Sequence, residues 1–205
     1  MDYNKGQGQF TRSFTIDLMS IRSYKHLLST FWYKPAWSVR QLLDLQQGHS
    51  SALFVAALFG MIQLGRLFPV SSEVLIVYLA FYGLAGVGFL FLFGWLVRNF
   101  GRFFGVDARQ REVRTALGLG LLPWTILFGS LLLALSSGLS SESIAARYSS
   151  IVLVVLIYGF YVLLLSLKAA LHLSVIKTFL CLILTVVFSF FPLTLLAQLL
   201  SSHLK

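Results

Sequence analysis

Five long uncharged runs divide this chain. Between Asp44 and Arg66 lie 21 residues without a formal charge, and between Glu73 and Arg98 another 24. Thr115 to Ser141, Tyr148 to Leu167 and Thr178 to Leu204 supply three more. A helix rises about 1.5 Å per residue, so some 20 apolar residues cross a hydrocarbon core about 30 Å thick. The runs lack the apolar-polar alternation of a barrel wall. The pattern therefore predicts membrane-spanning helices over about 49–68, 74–97, 115–137, 148–167 and 178–200.

The stretch before the first run has a different rhythm. Phe14, Leu18, Ile21, Leu28 and Trp32 recur at helical spacing, with Asp17, Ser20 and Ser23 elsewhere on the wheel. Such a helix can lie in the plane of the lipid headgroups. Lys34-Pro35 then opens a second short helix, because proline suits the first turn. In AWSVRQLLDLQQ, Val39, Leu42 and Leu43 fall on one side and Arg40, Gln41 and Asp44 on the other. Gly48 and His49 mark a break. The expected fold is an all-α integral membrane protein, a bundle of five transmembrane helices preceded by interfacial amphipathic helices. Residues 1–48 form the interfacial segment and 49–205 the transmembrane domain.

Composition agrees with this class. The 205 residues are 58% hydrophobic and 11% charged, with mean hydropathy +0.84; a soluble domain carries roughly a quarter charged residues. The net charge of +9 comes from basic residues set between apolar runs, as in loops facing anionic lipid, and no soluble basic module for nucleic acid is present. Lys34, Arg40, Arg98, Arg102, Arg109, Lys168 and their neighbours outnumber Arg66, Arg147 and Lys205 thirteen to three across the expected membrane. With five spans, this places the N-terminus in the cytoplasm and the C-terminus outside, in a plasma or prokaryotic inner membrane. MDYNKGQGQF has no apolar signal core, so the first span is expected to direct insertion.

Little in the chain points to catalysis. No Asp, Glu, Lys or Arg falls mid-span, where ion-coupled carriers keep theirs. His26, His49, His172 and His203 are scattered, without the convergent set a metal requires. Cys181 is alone in an apolar run, no G-x-S-x-G elbow occurs, and GRFFG at 101–105 lacks the lysine and spacing of a phosphate loop. No enzyme, cofactor or metal is expected. Small residues say more: Ala52, Ala56 and Gly60 recur every four positions, and Ala80, Gly83 and Gly86 every three. Such stripes let helices approach closely in lipid, by default within one bundle and secondarily between copies. Gln63, Pro123 and Pro192 fall within the runs; the prolines should kink them and could border a cavity.

The stretch FWYKPAWSVRQLL and the basic loop WLVRNFGRFFGVDARQREVRTALGLGLLPWTI resemble the Yip (Ypt/Rab-interacting protein) domain family in its short prokaryotic form. Phe31, Trp32, Lys34, Pro35, Val39 and Arg40 match its opening pattern, with Ala36 where the family tends to have arginine. The resemblance covers about residues 25–200 and implies the five-span layout, a membrane location and no established activity. Longer eukaryotic members are adaptors associated with Rab-type GTPases and carry a D-L-Y-G-P motif; this chain lacks the motif, which argues against GTPase binding. The combined expectation is a membrane scaffold whose contacts with anionic headgroups or a partner run through Trp32, Lys34, Pro35, Trp37, Arg40, Arg98, Arg102 and Arg109. The partners would be lipids, other membrane proteins or a second copy. Gly60, Gln63, Gly83, Gly86, Pro123 and Pro192 are the packing or cavity candidates. A transporter or lipid translocator is the alternative.

Overall fold

The computed structural model describes residues 27, 29–67, 75–138 and 140–203. The helix expected on Phe14, Leu18, Ile21 and Leu28 lies outside the described residues. Besides helical residues at 27, 29 and 30, seven α-helices, and no strand, form among the described residues. They are α1 (Pro35–Asp44), α2 (His49–Leu67), α3 (Leu75–Phe103), α4 (Gln110–Gly120), α5 (Leu122–Ser136), α6 (Ser141–Leu171) and α7 (Val175–His203). Three stretches are long and apolar enough to cross a membrane: Leu75–Phe103, Gln110–Ser136 and Ala146–Leu171. The apolar parts of α2 and α7, His49–Gln63 and Val175–Ser189, are shorter.

The outer faces are greasy. Ile76, Val77, Phe81 and Leu84 on α3, Ile151, Val154 and Ile157 on α6, and Ile176, Val187 and Phe188 on α7 are all exposed. Water would penalise so large an apolar surface, whereas hydrocarbon accommodates it.

Helix α4 is the hub, buried from Thr115 through Gly120 and packed against α2, α3 and α6. Glycine makes this possible. A Cβ added to Gly118 would stand 2.8 Å from Ala52 Cα on α2, and one on Gly120 would stand 3.0 Å from Leu163 Cα on α6. At the α2–α3 crossing a Cβ on Gly60 would come within 2.6 Å of Gly86 Cα, so the two backbones touch. Ala52, Ala56 and Gly60 of one stripe and Gly83 and Gly86 of the other face partners inside the chain, the close packing that small residues allow helices in lipid, while Ala80 is exposed.

The run expected as one span at 115–137 is two helices meeting at Leu121. Pro123 explains the interruption: it has no amide for the carbonyl four residues back, and its ring crowds that turn. The new helix α5 starts with this proline in its first turn. Thr125 donates to the Leu121 carbonyl twice, from its amide at 2.9 Å and its hydroxyl at 3.0 Å.

GRFFG, at the end of α3, forms a helix cap. Gly105 has φ +81°, its amide donates to Arg102 O, and the Val106 amide donates to Gly101 O. That pair of bonds is the Schellman arrangement, which satisfies carbonyls the helix leaves open. The chain then reverses into the loop before α4.

Candidate functional site

Leu27 and the segment from Ser29 to Asp44 do not simply float beside the bundle. Leu27 and Phe31 are buried, Phe31 to 1% exposure. Trp32 stacks on Tyr158 of α6, ring centroids 6.3 Å apart and planes 11° from parallel. The Tyr158 hydroxyl donates to the Trp32 backbone carbonyl at 2.5 Å. Helix α1 then buries Pro35, Ser38, Val39 and Leu42 against α6 and, to a lesser extent, α4. At its far side Arg40 reaches His172, just past the end of α6. The segment thus runs beside α6 in the same direction as α6. About 20 Å of helix separates Tyr158 from Leu171 at 1.5 Å per residue. Tyr158 satisfies the carbonyl of this non-helical turn, which no helix partner takes.

One end of the bundle collects groups from distant parts of the chain. His49 Nδ1 lies 3.3 Å from Thr115 Oγ1, Arg40 Nη2 lies 3.4 Å from His172 Nδ1, and Arg98 Nη2 lies 3.5 Å from Asp107 Oδ1. Since Thr115 gives its proton to Arg111 O at 2.9 Å, His49 must donate from Nδ1 to complete its own contact. Arg114, one turn inward, lays its guanidinium over the Phe91 ring at 4.1 Å and its stem against Gly94, a cation–π contact that anchors α4 to α3.

Two basic patches flank α1 at this end. The first is the α3–α4 loop, where Asp107 takes both Arg98 (3.5 Å) and Arg102 (3.6 Å), and Glu112 takes Arg109 (4.0 Å). Arg109, Arg111 and Glu112 also line a cavity of about 420 Å³ with Asp44, Gln47 and His49. Asp107 and Glu112 thus partly offset Arg98, Arg102 and Arg109, and the patch keeps a net positive charge.

The second patch is a groove of about 400 Å³ between α1 and the end of α6, lined by Ala36, Trp37, Arg40, Lys168, Ala169, His172 and Leu173. Among the described residues, no carboxylate lies within ion-pair distance of Arg40 or Lys168. Its walls are apolar, its rim is cationic, and Trp37 is half-exposed beside it.

The expected contact residues therefore separate. Arg40 and Trp37 share the groove; Arg98 and Arg102 share Asp107; Arg109 belongs to the second cavity. Trp32 is held by Tyr158, Pro35 is buried, and Lys34 is exposed. Gly60, Gly83 and Gly86 lie at the α2–α3 crossing and Gln63 is half-buried on α2. Pro123 is buried at the helix break, and the side chain of Pro192 lies outside the described residues. Sequence reasoning passed over Lys168 and His172 as groove residues. The available signal was their i, i+4 spacing at the end of an apolar run.

The chain matches no family model, no curated protein and no solved structure.

Proposed function

We propose that this chain is a five-span membrane protein of the Yip type, with its basic end in the cytoplasm, that acts without catalysis as a scaffold or adaptor. Helices α2 and α7 complete the span count; each begins at the basic end or beside it and has enough length to reach across with its polar-tolerant termini. The observation that carries the reading is the composite basic end: α1, α2, α3, α4 and α6 each bring a terminus there. Helix packing through glycine supports a static framework beneath it. Anionic lipid and membrane-protein partners fit such a face.

The rival reading, a lipid or solute translocator, draws on the helix interruption at Leu121 beside buried Pro123. Reconstitution separates the two. Vesicles containing the purified protein should move fluorescent phospholipid and small solutes no faster than empty vesicles. Faster movement would replace the scaffold reading. Topology is checked by a reporter fused after Lys205, which should be accessible only from outside; a cytoplasmic reporter would overturn the five-span arrangement.

A further inference from the structure

We propose that the groove between α1 and the C-terminal end of α6 is a binding site for the phosphate of an anionic glycerophospholipid, held by Arg40, Lys168 and His172 with Trp37 beside the acyl region. The inference rests on the reading of this end as the cytoplasmic face.

The donor chemistry is specific. An arginine can only donate, so in the Arg40–His172 contact at 3.4 Å the Nδ1 of His172 is the acceptor. The other ring nitrogen, Nε2, is left to donate its N–H to a ligand. Arg40 retains the rest of its guanidinium fork, which matches phosphate geometry. Lys168 adds a point charge from the groove wall. None of the three is spent on a described carboxylate, in contrast to Arg98, Arg102 and Arg109.

The backbone gives a second, independent indication. His172 has φ +53° and caps α6 in the left-handed region, where glycine is the ordinary choice and a side chain is strained. A side chain kept at such a cost points to a use for it. Lipid, rather than a soluble phosphate, is indicated by the other walls. Ala36, Trp37 and Leu173 are apolar, and basic pockets of this kind between membrane helices on the cytoplasmic side suit acidic headgroups.

The test uses the full chain in dodecyl maltoside micelles, with lipid adducts measured by native mass spectrometry. Phosphatidylglycerol, phosphatidylcholine and glycerol 3-phosphate are titrated in parallel. Phosphatidylglycerol should bind preferentially, and the Arg40→Gln/Lys168→Gln double variant should weaken it by roughly thirtyfold, about the effect of two cations at a membrane surface. Arg98→Gln/Arg102→Gln should change it by less than about threefold, since those cations share Asp107. His172→Gly gives the sharpest contrast. It should melt no lower than the parent, because glycine relieves the backbone, yet bind phosphatidylglycerol more weakly. It also stands in if the double variant does not fold.

Equal binding of phosphatidylcholine would overturn the site, as would equal losses from the two double variants. Glycerol 3-phosphate binding as tightly as the lipid would overturn the lipid assignment. Undiminished lipid affinity in His172→Gly would leave the histidine a cap alone and remove it from the site. None of these results alters the vesicle transport assay, so a failure here is distinguishable from a failure of the scaffold reading.

Discussion

The α3–α4 loop and the α1–α6 groove both present arginine at the same end of the bundle, yet they differ in what the arginines face. In the loop, Asp107 sits between Arg98 and Arg102 and is 81% exposed. In the groove, Arg40 faces a histidine and a lysine, and no described carboxylate. Density of positive charge along a chain is therefore a poor guide to charge available for a ligand. The loop fits topology anchoring, for which net positive charge suffices, while the groove keeps donors open.

Three changes would break or sharpen that contrast. The largest concerns the framework both regions share. Gly118→Leu would drive a side chain into the α2 backbone at Ala52 and should cost about 3 kcal/mol or more, as overpacking without room to relax does. A thermal melt in detergent would read it, and both regions should lose protection from hydrogen exchange together. Loss in only one would show that they do not share α4 as a common support.

A smaller effect is confined to the groove side. Tyr158→Phe removes the donor to the Trp32 carbonyl and should cost about 1–2 kcal/mol. Hydrogen exchange across residues 29–44 should accelerate while the 104–114 loop stays unchanged. Equal acceleration in both would mean that α1 is not held independently.

The smallest change in stability is the most informative for charge. Asp107→Asn removes the carboxylate shared by Arg98 and Arg102 and should shift stability by less than about 0.5 kcal/mol, because exposed ion pairs contribute little. Binding of phosphatidylglycerol at the loop should rise about fivefold. No rise would mean that Asp107 does not limit those arginines.

The sequence foretold these features unevenly. The run at 148–167 falls inside α6, and that at 74–97 falls inside α3 from Leu75 on, because absence of charge over 20 residues is a local property of the chain. Pro35 stands in the first turn of α1, as Lys34-Pro35 suggested, since proline's preference for a first turn is likewise local, though the helix ends at Asp44, short of Gln47. The break at Leu121 was half-visible: Pro123 announced a bend, but not that Thr125 would brace the new helix from its first turn. Spatial pairing across the chain was not visible. Arg40 and His172 stand 132 positions apart, and no periodicity encodes such a meeting. The neutralisation of Arg98 could have been read, for Asp107 is nine positions on. Treating each basic residue singly hid it.

The bond between Tyr158 and Trp32 joins positions 126 apart, and this sets an order of events during synthesis. Ribosomes add about 5–20 residues per second, so Trp32 leaves the ribosome on the order of ten seconds before its partner exists. Throughout that interval the aromatic stretch at 31–37 has no α6 to dock against. This stretch, translated ahead of all five apolar runs, thus docks only when the fourth of them has arrived.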